Sequence, residues 1–312
     1  MPTPPDAVTA FGPATLSNLG PGYDALGLCV TGRGDHVTAW RTEAPGVTVE
    51  ATPPFPPGER NTAGRAAAHV LRAAGAEGGV ALRVEKGVPL GSGVGGSAAS
   101  AVAGAWAANE VLGQPFGRAD LVEAVLDGEA ATGSRHGDNV LPALLGGLVL
   151  VSPSDPTEHR RLDLPAPPPL PVLLPDLRVV THEARAALPA HVPHADAAAQ
   201  AAETGFLLAA LLAGDWERAG RHLMRDRLAE PHRAALVPVY DAVRRAALGA
   251  GAAGCALSGS GPALFALPAP GADAQAVLDA MRAASRAGGV EAAGWLARVD
   301  TEGVRTVAAP PS

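Results

Sequence analysis

The alternation of apolar and polar positions cuts the chain into short strands and longer helical runs. Residues 80–84 follow the period of a strand, and an alanine-rich run from residue 97 to about 112 reads as a helix. Between them, five of the ten residues from Gly87 to Gly96 are glycine. Upstream, residues 9–15, 36–40 and 47–50 carry strand patterns, and an apolar run over 25–30 follows the tight turn that Gly20-Pro21-Gly22 demands. Asn61 or Thr62 is a natural N-cap for a helical run through Ala74, and residues 120–131 read as a further helix. The segment from Gly133 to Gly146 carries Asp138, Asn139 and Pro142 and is expected to be a loop before an apolar strand.

The charged stretch from Asp155 to Asp163 is followed by the proline cluster of residues 165–171. That change of composition marks a domain junction near residue 160, dividing the chain into 1–160 and 161–312. In the second half, residues 172–174, 178–182, 253–257, 263–267 and 290–299 read as strands, with a helix over 274–286. This order suits an α+β sandwich with helices on one sheet face.

A hydrophobic fraction of 47% with 18% charged residues describes a packed globular chain. The net charge of -7 and the lack of a basic stripe argue against nucleic acid as a partner. Lys86 is the only lysine, so a phosphate must be met by arginine, backbone amides and metal. Cys29 and Cys255 both lie in apolar runs and make no disulfide framework, which points to a reduced, cytoplasmic compartment. The first residues lack the pattern of a signal peptide. The uncharged stretch 87–109 is long enough to span a bilayer, but its glycine and serine content rules it out as a membrane helix.

Glycine lets successive backbone N–H groups turn inward, and a fresh helix start adds unpaired donors and a positive dipole end. A strand, a glycine loop and a helix in succession therefore suit the phosphates of a nucleotide. No Gly-Lys-Ser/Thr is present, which excludes a Walker loop. Gly91-x-Gly93-x-x-Gly96 matches the dinucleotide fingerprint, but Gly87 to Leu90 intervene after the strand. The nearest acidic candidates, Glu110 and Asp120, fall in helical patterns, so the dinucleotide reading fails.

The stretch Pro89, Leu90, Gly91, Ser92, Gly93, Val94, Gly95, Gly96, Ser97, Ala98, Ala99 resembles the phosphate loop of the GHMP small-molecule kinases. It departs from that pattern at Val94, for a leucine, and at Gly96, for a serine. The resemblance implies that these residues bind ATP, that Ser97 sits against the magnesium–phosphate group, and that Asn61 contacts adenine. Residues 13–28 resemble the first motif of homoserine kinases, which implies that Asn18 and Asp24 hold the polar end of an amino-acid substrate. His136-x-Asp138-Asn139-Val140-x-Pro142, followed by Gly146-Gly147, resembles the same kinases. Several GHMP relatives place an aspartate general base where this chain has Asn139, which cannot take up a proton.

Phosphoryl transfer has a loose transition state, so Asn139 is expected to orient the substrate hydroxyl, with Asp138 disfavoured as a base by its register. His136 is expected to fix the loop or to lie on the substrate side, not to act as a base. The family draws a magnesium carboxylate from the preceding helix, which implies Glu129, with Asp127 as the fallback. The segments around Arg185 and Arg233 resemble the family's two substrate-arginine segments, and guanidinium forks suit a carboxylate. Ser258, Gly259, Ser260 and Gly261 resemble the third GHMP motif, with Ala263 where a threonine is common. The resemblance implies an N-terminal ribosomal-S5-like domain and a C-terminal ferredoxin-like domain. It also implies transfer of the ATP γ-phosphate, with Mg2+, to L-homoserine in threonine biosynthesis, by a homodimer. A mevalonate-type GHMP kinase and a non-catalytic nucleotide sensor are the alternatives.

Overall fold

The computed structural model describes residues 4–52, 57–133, 135–179 and 181–309. Strands β1 (Val8–Ser17), β2 (Leu26–Thr42) and β3 (Gly46–Thr52) open the chain, followed by helix α1 (Thr62–Ala73) and strand β4 (Gly79–Glu85). Asn61 caps α1, its side chain accepting from the amides of Ala63 and Gly64. The glycine stretch then leads into α2 (Gly96–Val111), which is apolar on nearly all sides because α1, α3, β1 and β2 all pack on it. α3 (Val122–Glu129) is shorter than the expected helix, with a 3-10 turn at each end.

The loop expected over residues 133–146 is instead largely helical, as α4 (Gly137–Leu145). Its turn-forming residues occupy the first turn, where backbone N–H groups have no intrahelical partner in any case. Pro142, further in, removes only the bond to the carbonyl four residues earlier. β5 (Leu148–Val151) is the apolar strand expected after that segment; β6 (His159–Leu162), which the alternation did not reveal, pairs with it in a hairpin, and the expected junction near residue 160 falls within β6.

β7 (Leu170–Pro175) is followed by helices α5 (Thr181–Ala186), α6 (His194–Ala213), α7 (Trp216–Leu223), α8 (Glu230–Arg233) and α9 (Tyr240–Gly249). The strand expected over 178–182 is absent: residues 177–179 have no regular structure, and α5 begins at Thr181. Val180, within that expectation, lies outside the described residues. β8 (Ala252–Leu257), β9 (Leu264–Pro268), α10 (Ala274–Ala287), β10 (Ala292–Ala297) and β11 (Arg305–Val307) complete the chain.

Two sheets result. The first runs β11-β1-β2-β4-β3 with the β5–β6 hairpin on β2; β3 and β4 are parallel and the other pairs antiparallel. The second runs β10-β7-β9-β8 and is antiparallel throughout, the 4-1-3-2 order of a ferredoxin-like sheet. Helices cover both faces of this second sheet, not one. Leu173, Leu264 and Ala266 face α9 and α10, whereas Val172, Leu174, Phe265 and Leu267 face α6, α7 and the apolar residues of β1 and β2. Burial on both faces explains why β7 is an unbroken buried run. Among the described residues no helix is long and apolar enough to cross a membrane.

Candidate active site

The glycine stretch between β4 and α2 turns through three left-handed residues, Gly91, Gly93 and Gly95, with φ of 64°, 79° and 72°. A Cβ on Gly93 would stand 2.6 Å from the Ser258 carbonyl oxygen, and one on Gly95 only 2.0 Å from Thr15 Oγ1. Glycine here permits both the turn and the close approach of neighbouring chain. Those neighbours hold the loop. The Ser258 hydroxyl donates to the Gly93 carbonyl at 2.6 Å, the Ala263 amide to Ser92 at 3.2 Å and the Thr15 amide to Val94 at 3.2 Å. Ser258 and Ala263, the latter through its backbone, thus clasp the loop.

An open cleft of about 260 Å³ is lined by Leu90 to Gly93 and Gly95 to Ser97 of this loop. Asn18, Asp24, Glu129, His136, Asp138, Asn139, Arg185, Arg233, Gly259 and Ser260 line the same cleft. Val94, Ala98 and Ala99 are fully buried and anchor the loop in the cores instead. Pro89 and Asn61 are not among the lining residues, and the Asn61 Oδ1 is committed to capping α1.

Asn139, in the first turn of α4, has its amide fixed at both ends. Thr15 donates to its Oδ1 at 2.7 Å, and its Nδ2 donates to the Ser17 hydroxyl at 3.0 Å. The Ser17 hydroxyl also lies beside the Asp138 carboxyl and lowers its proton affinity. Burial, with Asp24 nearby, pushes that carboxyl up to about 7. Asn18 sits at a left-handed φ of 68°, accepts from the Asp24 amide at 3.1 Å and donates to the Gly259 carbonyl at 3.0 Å.

Arg233 is 4% exposed; it donates to the carbonyls of Ala184 and Gly259 at 3.2 and 3.0 Å and lies over the Tyr23 ring. Arg185 donates to His136 Nε2 at 2.7 Å, and both approach Asp24 at 3.8 Å. Burial first, then the two arginines, lower the proton affinity of His136, which leaves Nε2 free to accept.

Glu129 ends α3 facing Ser97, whose hydroxyl donates to Oε1 at 3.0 Å. Oε2 is buried with no hydrogen-bond partner among the described residues, and burial pushes the carboxyl up to about 8. A buried carboxylate oxygen without a donor suits a cation. Asp127 is directed elsewhere, held by Arg65 at 2.6 and 2.9 Å and by His69 at 3.4 Å.

The family model for the GHMP kinases N terminal domain matches residues 61–147, and that for GHMP kinases C terminal matches residues 207–287. The chain belongs to the GHMP kinase family. Within that family it is 40% identical to the homoserine kinase of Pyrococcus abyssi over 289 residues, covering 92% of this chain and 96% of the relative. The homoserine kinase of Xylella fastidiosa strain 9a5c is also 40% identical, over 95% of this chain and 92% of its own. The crystal structure of homoserine kinase from Cytophaga hutchinsonii superposes with a TM-score of 0.92 at 37% identity, over 98% of this chain and 99% of that one. Lactococcus lactis galactokinase, at 15% identity and a TM-score of 0.71, shares the fold.

Motif reading of this GHMP kinase passed over Thr15 and Ser17, the two hydroxyls that orient Asn139. They occupy alternate positions of β1 and so share one sheet face, which the period of two could have shown. Thr132, just beyond α3, also lines the cleft. The contacts of Lys86 with Asp35 and Ser100 join residues far apart in sequence, and no local pattern predicts them.

Proposed function

We propose that this kinase transfers the γ-phosphate of ATP to the hydroxyl of L-homoserine, giving ADP and O-phospho-L-homoserine for threonine biosynthesis. One observation carries this reading: a loop of backbone amides and a pair of arginines line the same cleft, with the Asn139 amide in it. The amides of the loop and the start of α2 hold the phosphates. Arg185 and Arg233 take the substrate carboxylate, and Asp24 with Asn18 and His136 takes its amino end. Asn139 orients the acceptor hydroxyl; its oxygen bonds to the γ-phosphorus as the bond to the β-phosphate bridge breaks. The proton leaves late, so no strong base is required. Asp138 lines the same cleft as Asn139, and a carboxyl raised to about 7 can hold the released proton.

Ser97 and Glu129 would hold Mg2+, for which the unpartnered Glu129 Oε2 is suited. The ion, when bound, neutralises phosphate charge in the transition state. Buried free Cys29 and Cys255 suit a reducing cytoplasm. The exposed Phe206 and Leu212 of α6 suit a homodimer, to be checked by sedimentation.

A coupled ADP-release assay with homoserine, mevalonate, galactose and serine tests the reading. Homoserine is expected to be the preferred acceptor by a wide margin. Preference for mevalonate would replace the substrate assignment, and absence of turnover with every acceptor would favour a nucleotide sensor.

A further inference from the structure

Beneath the phosphate loop lies a buried ion pair that the reaction as written does not use. Asp35, on β2, is 0% exposed, and the Lys86 side chain, just past β4, is 9% exposed. The Lys86 ammonium donates to Asp35 Oδ2, to the Gly96 carbonyl at 2.6 Å and to the Ser100 hydroxyl at 3.0 Å. Asp35 Oδ1 accepts from the amides of Gly87 and Val88 at 3.0 and 3.1 Å, and Ser100 donates to Oδ2 at 2.7 Å. Gly87 and Val88 lead into the loop; Gly96 and Ser100 lie where it ends in α2. One carboxylate and one ammonium therefore tie both ends of the loop together.

The tie has a directional consequence. In a trans peptide the C=O of one residue and the N–H of the next point in opposite directions. By holding the Gly96 carbonyl inward, Lys86 turns the Ser97 N–H the other way, and Ser97 lines the cleft. A buried ion pair adds little stability over apolar side chains of equal volume. Its location under the loop favours a role in orientation. The Lys86 charge is also among those felt at Glu129.

We propose that Lys86 is a positioning residue of the phosphoryl transfer: anchored by Asp35, it fixes the Gly96–Ser97 peptide so that its amide meets the triphosphate. This rests on the kinase reading above. Three variants test it: Lys86→Met, the charge-balanced Asp35→Asn/Lys86→Met, and Ser100→Ala, which keeps both charges. Each is assayed for ATP and homoserine KM, kcat and melting temperature. The charge-balanced variant is expected to melt near the wild type and to show an ATP KM raised about tenfold, with the homoserine KM unchanged. Ser100→Ala is expected to raise the ATP KM by about two- to fivefold.

A folded Lys86 variant with the wild-type ATP KM and kcat would overturn the proposal, as would equal rises in both KM values. If neither methionine variant folds, Ser100→Ala decides by the same criterion. Should the wild-type protein phosphorylate none of the four acceptors, the kinase reading falls. Calorimetric titration of the same variants with ATP alone then decides the positioning role separately.

Discussion

The glycine-loop side of the cleft and its charged side are built by different means. Gly91, Gly93, Gly95 and Gly96 contribute backbone, and their loop is held by the Thr15 and Ala263 amides, the Ser258 hydroxyl and, at its end, the Lys86 ammonium. Asp24, His136, Arg185 and Arg233 contribute charged or titratable side chains, held in part by carbonyls and by one another. On the function proposed above, the backbone amides recognise what every nucleoside triphosphate shares, whereas the guanidinium groups distinguish one acceptor from another. The underpinning differs too. Asp35 below the loop is matched by the Lys86 ammonium, but Glu230, at the start of the helix that carries Arg233, accepts from the Tyr240 hydroxyl and the Leu257 amide.

This contrast can be broken most severely at the loop. Gly95→Ala places a methyl against Thr15 Oγ1 at a positive φ and near Asn139 Oδ1. Turnover is expected to fall by more than ~10²-fold with any acceptor, measured as kcat/KM for both substrates. Arg233→Ala should act on one side alone, raising the homoserine KM by about 10- to 100-fold while the ATP KM holds. Equal effects on the two KM values would remove Arg233 from its assigned role.

Glu230 offers a third test, through pH. Burial pushes its carboxyl up to about 7, against the opposing influence of Tyr240, Leu257 and Arg244 and with Asp226 adding to the rise. Between the unfolded value of about 4.3 and that folded value, the native state binds more protons than the unfolded one. Its contribution to stability therefore declines as pH rises through that window. Relative to Glu230→Gln, which does not titrate, the wild type should lose about 1–3 kcal/mol between pH 5 and pH 8. Denaturant melts at both pH values measure it, and a gap independent of pH would refute it. The smallest effect belongs to Arg185→Ala. Its side chain is 45% exposed, and water screens it, so a rise of roughly fivefold in homoserine KM is expected.

How far these parts could be read in advance depends on how local their causes are. The succession of β4, glycine loop and α2 was legible because period, glycine density and helix start are all nearest-neighbour properties. The Asn61 cap was legible for the same reason. α4 was not, because Asp138 and Asn139 suit a turn and a first helical turn equally, Pro142 argues against a helix interior, and packing against β1, β2 and β5 selects the helix. Covering of the second sheet on both faces escaped notice because the apolar residues of β1 and β2 that reach it come from the other end of the chain.

What the order of residues determined by itself was the inventory of groups: a glycine-rich loop before a helix, the Asn139 amide, two arginine segments, and the motifs that place the chain among the GHMP kinases. What only the tertiary structure decided was the pairing of those parts. Thr15 and Ser17 reach Asn139 across more than a hundred residues, Glu129 rather than Asp127 faces Ser97, and Lys86 finds Asp35. Local pattern sets which groups a segment can offer. Which groups meet depends on closure of the two sheets around shared cores, where a buried polar atom must find a partner or pay for its desolvation.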